Sequence, residues 1–120
     1  MLVVDDKRDA AETLALLIRV SGHEVQLAFD GAEAVDIIEN WIPDIAFIDI
    51  GLPRMNGYDV ARRIRQQSRL NSVVLIAHSG YGQETDRQRA REAGFDDHLV
   101  KPADNEADRR ALSSSRPASG

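Results

Sequence analysis

The stretch Ile45-Ala46-Phe47-Ile48-Asp49-Ile50 is apolar at every position except one, and it decides how the rest of the chain is understood. A strand with one face in water alternates apolar and polar residues, whereas a nearly continuous apolar run is typical of a strand buried on both faces. Such strands belong to parallel sheets that helices cover on both sides. Asp49 is then an acid at the end of a buried strand, which is costly unless the carboxylate has a partner.

Four further apolar runs accompany this one, and amphipathic stretches separate them. The runs are Leu2–Val4, Val25–Phe29, Val73–Ala77 and the short Leu99–Val100. Because strand and helix patterns alternate along the chain, the sequence predicts repeated β-α-β units with right-handed crossovers. The predicted fold class is therefore α/β, with a doubly wound parallel sheet.

Acidic residues at capping-box spacing predict where two of the helices begin. Asp9 and Glu12 have this spacing at the start of the first amphipathic stretch, and Asp30 and Glu33 repeat it at the start of the second. A fourth helix is predicted over Glu84–Ala93, where two alanines are the whole apolar face, so we expect it to be loosely held.

The composition excludes several classes of protein. A chain of 120 residues is the length of one domain, and the lack of cysteine excludes a disulfide scaffold and thiolate metal sites. A net charge of −5 argues against binding nucleic acid or anionic lipid by bulk charge. No apolar run approaches the ~20 residues of a membrane span, and no secretion signal is recognised at the start. We therefore expect a cytoplasmic protein with neither nucleic-acid nor membrane partners.

Chemically active side chains follow four of the five predicted strands. Asp5 and Asp6 come directly after the first run, Asp49 lies at the end of the third, Ser79 follows the fourth and Lys101 follows the fifth. Open α/β sheets bind their ligands beyond the carboxyl ends of the strands. If these strands are neighbours in the sheet, the five residues converge on one small patch.

The presence of three carboxylates in one patch limits which cation and which reaction the patch can support. They repel one another, and one is forced to hold a proton unless a cation lies among them. Mg²⁺ suits such a set because it prefers hard oxygen ligands and keeps part of its water shell. A rigidly held Asp49 can attack phosphorus in line while the cation and Lys101 draw off the developing charge. The residues therefore predict a phosphoryl-transfer site.

Four segments of the chain resemble the receiver domain of two-component and phosphorelay response regulators, the CheY-like domain. The match covers roughly residues 1–104 in the family's order and spacing. The segments are Val3-Val4-Asp5-Asp6, Ile48-Asp49-Ile50-Gly51-Leu52-Pro53-Arg54-Met55-Asn56-Gly57, Ser79-Gly80-Tyr81-Gly82 and Leu99-Val100-Lys101-Pro102.

The resemblance implies a flavodoxin-like (βα)₅ fold with strand order 2-1-3-4-5 and a magnesium site. It implies that Asp49 is the phosphoacceptor and that Asp6 and Asp49 bind Mg²⁺ directly. Asp5 would act through water, and the backbone carbonyl of Gly51 would complete the protein's share of the ligands. The bound Mg²⁺ is the one cofactor that the resemblance implies.

The resemblance also assigns the residues that respond to phosphorylation. Lys101 would pair with the phosphoryl group, and Ser79 occupies the place of the switch hydroxyl. His98 occupies the place of the switch aromatic residue, which is usually Tyr or Phe. Taken alone, this histidine is expected to be a half-buried packing residue rather than a ligand.

The implied partner is a histidine kinase or a histidine phosphotransfer protein, followed by a target that the sequence does not identify. The domain would be a regulatory phosphoacceptor with weak self-dephosphorylation rather than an enzyme, and a monomer or weak dimer. Residues 76–102 are similar to receivers fused to hybrid histidine kinases. We expect the receiver domain to span residues 1–112, with a weak or truncated fifth helix at 103–112, and residues 113–120 to form a disordered Ser/Pro-rich tail.

Two other functions remain open from the sequence. The first is a Mg²⁺-dependent phosphatase of the haloacid dehalogenase type, although that family has Asp-x-Asp after its first strand and here Asp5 and Asp6 are contiguous. The second is a phosphorylation-independent interaction module with a receiver shell, against which the full acidic set argues.

Overall fold

The computed structural model describes residues 1–79 and 84–100, which form a five-stranded sheet flanked by helices. Each predicted strand is present, with ends that differ from the apolar runs by at most two residues. The elements, in chain order, are β1 (Leu2–Val4), α1 (Arg8–Val20), β2 (Gln26–Ala28), α2 (Gly31–Trp41), β3 (Ile45–Asp49), α3 (Gly57–Arg65), a 3₁₀ turn (Ser68–Leu70), β4 (Val74–Ser79), α4 (Glu84–Ala93) and β5 (Asp97–Val100).

The sheet has the strand order β2-β1-β3-β4-β5, and every neighbouring pair is parallel. This order confirms the predicted doubly wound fold. The order reverses between β1 and β3, which are neighbours in the sheet although β2 lies between them in the chain. Such a switch point leaves a crevice beyond the carboxyl ends of the two strands, where α/β sheets bind ligands.

The sheet is buried on both faces, as the continuous apolar runs predict. Phe47 packs in a cluster on the α1 side of the sheet, whereas its neighbours Ala46 and Ile48 belong to the larger cluster on the α2, α3 and α4 side. Successive residues of a strand point to opposite faces, so β3 needs apolar side chains at each of these positions. Its central place between β1 and β4 makes β3 a rigid support for Asp49.

The predicted start of α2 is confirmed, but that of α1 is wrong. The Asp30 carboxylate accepts a hydrogen bond of 2.7 Å from the Glu33 backbone N–H, as an N-cap does. By contrast, α1 begins at Arg8 with Lys7 at its N-cap, and Asp9 lies inside the first turn. The turn before α1 is held by Asp5, whose carboxylate accepts a bond of 2.9 Å from the Lys7 N–H. No side chain caps α1 at Lys7, and the capping role that the sequence pattern gave to Asp9 is not filled.

The edge strand β5 is anchored by an ion pair at its amino end. The Asp96 carboxylate lies 2.7 Å from the Arg65 guanidinium of α3, and it also accepts a 2.8 Å bond from the Leu75 N–H at the start of β4. Arg65 further donates to the Gly94 carbonyl, at 2.9 Å. These bonds join α3, β4 and the segment before β5, and they hold the strand that carries His98.

Three predictions concern residues outside the two described ranges. They are the role of Lys101 beside the site, the weak fifth helix at 103–112 and the disordered tail at 113–120. Within the described ranges, no helix combines the length and the apolar character that a membrane crossing requires.

Candidate functional site

Three carboxylates meet at the carboxyl edge of the sheet, at the switch point. Asp5 and Asp6 directly follow β1, and Asp49 is the last residue of the adjacent β3. One oxygen from each carboxylate lies within 4.8 Å of the corresponding oxygens of the other two. The structure therefore brings together the three acids that the sequence placed at separate strand ends.

The three carboxylates differ in burial and in what orients them. Asp5 and Asp49 are buried, with 3% and 6% of their surface exposed, whereas Asp6 is exposed. The Asp49 carboxylate accepts a hydrogen bond of 3.1 Å from the Gly51 N–H, and that of Asp5 accepts from Lys7. Two acids are thus held by the backbone, and the third stands at the rim of the site, on its open side.

This donor set fits a small hard cation. Carboxylate oxygens are the ligands that Mg²⁺ prefers, and Mg²⁺ is usually held by a few carboxylates while it keeps several waters. Three acids this close repel one another, so a divalent cation among them offsets a cost that the fold otherwise bears. Gly51, the residue expected to offer its carbonyl, is exposed in the loop after β3, two residues beyond Asp49.

The loop after β3 returns closely to the backbone of Asp49. The Gly57 N–H donates a 3.0 Å bond to the carbonyl of Ile50, and the Ile50 N–H donates a 3.1 Å bond to the carbonyl of His78 on β4. A Cβ atom at Gly57 would lie 2.6 Å from the Asp49 carbonyl oxygen. Glycine is therefore required at position 57, and this contact holds the residues around the Asp49 carboxylate.

A buried hydroxyl and a buried imidazole form a pair on the neighbouring strands. Ser79 is the last residue of β4, one position beyond His78, which is the cross-strand partner of Asp49. The Oγ of Ser79 lies 2.9 Å from Nε2 of His98 on β5. Ser79 is 7% exposed and His98 is 9% exposed, so the histidine is more deeply buried than the half-buried position expected from the sequence.

Sequence reasoning singled out both members of this pair but not the contact between them. The contact follows from the strand register, in which His98 faces Ala77, two residues before Ser79 and on the same face of β4. A sequence shows this register only when the start of β5 is known, and Leu99–Val100 was too short a run to show it. Lys101, the remaining predicted site residue, lies outside the described part of the chain.

Comparison with known proteins agrees with this geometry. Residues 1–112 match the family of the response regulator receiver domain. Over 102 residues the chain is 35% identical to the response regulator MprA of a Mycobacterium species. The aligned segment covers 85% of this chain and 44% of MprA. The chain therefore spans less than half the length of that relative.

Solved structures give the same result for the fold. The fold is similar to a response regulator from Chloroflexus aurantiacus, with 31% identity, a TM-score of 0.85 and coverage of 94% of this chain and 93% of that one. It is also similar to the chemotaxis response regulator CheY4 of Vibrio cholerae, with 25% identity, a TM-score of 0.87 and coverage of 94% of each chain. The chain belongs to the response regulator receiver domain family, the regulatory phosphoacceptor domains of two-component signalling systems.

Proposed function

We propose that Asp49 accepts a phosphoryl group from a phosphohistidine of a histidine kinase or phosphotransfer protein in the cytoplasm. The product is an aspartyl phosphate, and its formation changes the affinity of the domain for a downstream protein. The observation that carries the proposal is the convergence of the Asp5, Asp6 and Asp49 carboxylates within 4.8 Å at the switch point of the sheet.

The environment of Asp49 suits a nucleophile. Its backbone is held by the central strand, by the bond from Ile50 to β4 and by the close approach of Gly57. One carboxylate oxygen accepts the bond from Gly51. A nucleophile fixed in this way loses little conformational freedom when the phosphoryl donor binds. Such positioning of the reacting groups before reaction is a large part of phosphoryl-transfer catalysis.

All three acids of the cluster would take part in holding the cation. Asp6 and Asp49 would bind Mg²⁺ directly, Asp5 through water, and Gly51 through its carbonyl oxygen. When bound, Mg²⁺ neutralises charge on the oxygens of the transferred group. Asp5 also holds the turn into α1 through Lys7, so it orients its own carboxylate and the exposed neighbour Asp6.

The switch residues follow from the same reasoning. Ser79 lies at the end of the strand beside β3, where its hydroxyl can donate to an oxygen of the new phosphoryl group. Lys101 would pair with the same group from the end of β5. Movement of Ser79 and His98 would then change the face formed by α4 and β5, where the partner is recognised.

Phosphoryl incorporation tests the proposal directly. We expect acetyl phosphate with Mg²⁺ to add one phosphoryl group to the protein, as measured by intact-protein mass spectrometry, and chelation of Mg²⁺ to prevent it. An aspartyl phosphate is an acyl phosphate, so the added mass should be lost on treatment with hydroxylamine.

Two results would contradict this function. Repeated turnover of p-nitrophenyl phosphate, with no accumulated phosphoprotein, would indicate a phosphatase of the haloacid dehalogenase type. Amide spectra that stay unchanged on addition of Mg²⁺ and beryllofluoride, a phosphoryl analogue, would indicate an interaction module that does not use phosphorylation.

Replacing Asp6 with Asn should make the protein more stable than wild type without Mg²⁺ and less stable than wild type with it. Without metal, the variant loses one repelling charge and should be more stable than wild type by about 1 kcal/mol, a modest value because Asp6 is exposed. Mg²⁺ binding should weaken about 100-fold, or about 2.7 kcal/mol, because the ion loses a charged ligand. Saturating Mg²⁺ should therefore leave wild type as the more stable protein.

Thermal unfolding across a Mg²⁺ titration measures both effects in one experiment. Asp9→Asn is the matched control, because Asp9 is an exposed acid in the first turn of α1 and outside the cluster. The control should keep the wild-type response to Mg²⁺. A parallel rise in melting temperature for wild type and Asp6→Asn would contradict the assignment of Asp6 as a ligand.

A further inference from the structure

The hydrogen bond between Ser79 and His98 has two possible directions, and they differ in what the hydroxyl can do next. A neutral imidazole with a bare Nε2 accepts the hydroxyl proton of Ser79. An imidazole that carries a proton on Nε2 donates to the Ser79 Oγ instead, and the hydroxyl proton is then available to a third group. A Tyr or Phe at position 98 has no equivalent of this choice at a ring nitrogen.

We propose that His98 is a positioning residue for the phosphoryl group, because the protonation of its Nε2 sets the direction in which the Ser79 hydroxyl donates. In the resting protein, Ser79 donates to the bare Nε2. Once Asp49 carries a phosphoryl group, Ser79 donates to a phosphoryl oxygen, Nε2 of His98 takes up a proton from solvent, and the resulting Nε2–H donates to the Ser79 Oγ. This inference rests on the proposed function of Asp49 and adds a regulation to it.

Burial strengthens the hydrogen bond between Ser79 and His98 and makes the loss of a partner costly. A hydrogen bond shielded from water is electrostatically stronger than an exposed one, and a buried group that loses its partner bears a desolvation cost of about 1–3 kcal/mol. Ser79 and His98 are both less than a tenth exposed. A change in the direction of the Ser79 hydroxyl must therefore be matched by a change at His98.

Charged side chains of both signs line the cavity that borders the imidazole of His98. His98 lines a cavity of about 310 Å³ between α4 and β5, with Phe95 and Ala90 as apolar neighbours. The Asp97 carboxylate accepts a 2.8 Å bond from the His98 backbone N–H. Among the described residues, the charged side chains lining this cavity are Arg87 and Arg91 from α4, and Asp96 and Asp97 at the start of β5. From β4, Ser79 faces the ring.

Nitrogen NMR of the full chain tests the direction of the bond. We expect the Nε2 signal of His98 to lie in the unprotonated range in the resting protein at neutral pH. It should move to the protonated range when Mg²⁺ and beryllofluoride are added. His23 is exposed, in the loop between α1 and β2, and serves as the internal reference that should not change.

The pH dependence of beryllofluoride affinity tests the coupling. In the presence of Mg²⁺, we expect wild type to bind about tenfold more tightly at about pH 6 than at about pH 8, the range in which histidine gains its proton. His98→Phe should lose this dependence. Ser79→Ala should lose it as well, although it keeps the histidine, and Ser79→Thr should restore it.

The variants separate a hydrogen bond from a simple charge effect. If Ser79→Ala keeps the full pH dependence, a protonated His98 attracts the anion through space, and the proposal is overturned. It is also overturned if beryllofluoride shifts the amides of Asp49 and Gly51 while Nε2 stays unprotonated, a result that leaves the phosphoacceptor role of Asp49 intact. If those amides never respond, the proposed function fails, and this inference fails with it.

Discussion

Asp49→Asn should reduce phosphoryl incorporation from acetyl phosphate to background while the protein stays folded. A carboxylate oxygen attacks phosphorus, whereas the amide oxygen of Asn carries no charge and is a poor nucleophile. The substitution keeps the size of the side chain and an oxygen that can accept the Gly51 N–H bond. It also removes one of three repelling charges. We therefore expect a stable protein that does not react.

Mass spectrometry on the acetyl phosphate reaction, alongside urea unfolding, checks both parts of this result. Asp36→Asn is the matched control, because Asp36 is exposed in the middle of α2 and is not a member of the acidic cluster. The control should incorporate as much phosphate as wild type. Equal labelling of Asp49→Asn and wild type would show that another residue accepts the phosphoryl group.

The sheet and its acidic edge could be predicted because both depend on short sequence patterns, namely apolar runs and the acids that follow them. The run around Phe47 is apolar at positions that face both sides of the sheet, and this is what a buried parallel strand requires. Once the strands are parallel, their carboxyl ends lie at one edge. Asp5, Asp6 and Asp49 then meet because β1 and β3 are neighbours, a strand order that the resemblance to receiver domains supplied and the apolar pattern did not.

The start of α1 could not be predicted from the same kind of pattern. Asp9 and Glu12 have the spacing of a capping box, yet the helix begins at Arg8, one residue before Asp9. The Asp5 carboxylate binds the Lys7 N–H and so fixes the turn before the pattern at Asp9 can act. The hydrogen bond from Lys7 to Asp5, rather than a cap at Asp9, determines the turn that leads into α1.

The contact of Ser79 with His98 depends on register, which short strands do not encode by themselves. Leu99–Val100 is two apolar residues, but β5 begins at Asp97 because the neighbouring Asp96 binds Arg65 and the Leu75 N–H. These polar bonds set which residue of β5 faces Ala77. A pattern of hydrophobicity cannot contain that information, because the groups that set the register are charged.

The requirement for glycine at position 57 also could not be predicted from the sequence. It comes from the close approach of Gly57 to the backbone of Asp49 and Ile50 rather than from a turn. Its backbone does not adopt a left-handed conformation, unlike Gly22 with φ +90° and Gly94 with φ +115°. What excludes a side chain is the chain itself. A Cβ at Gly57 would lie 2.6 Å from the carbonyl oxygen of Asp49 and 2.8 Å from the Cα of Ile50.

Gly57→Ala should therefore destabilise the protein by about 3 kcal/mol, because the added methyl group meets backbone atoms that cannot rotate away. Urea unfolding measures the loss, and Gly51→Ala is the matched control. A Cβ at Gly51, in the loop before α3, would have its nearest atom, an Asp49 carboxylate oxygen, at 3.8 Å. That variant should stay within about 0.5 kcal/mol of wild type.

The same substitution should slow phosphorylation in the fraction of Gly57→Ala that remains folded. A methyl group that displaces the backbone of Asp49 moves the nucleophile, and a shift of about 1 Å in a reacting group can reduce a rate about 100-fold. We expect the initial rate of incorporation from acetyl phosphate, corrected for the folded fraction, to fall by at least about tenfold. A corrected rate equal to that of wild type would mean that α3 gives way to the methyl group and that Gly57 does not hold Asp49 in place.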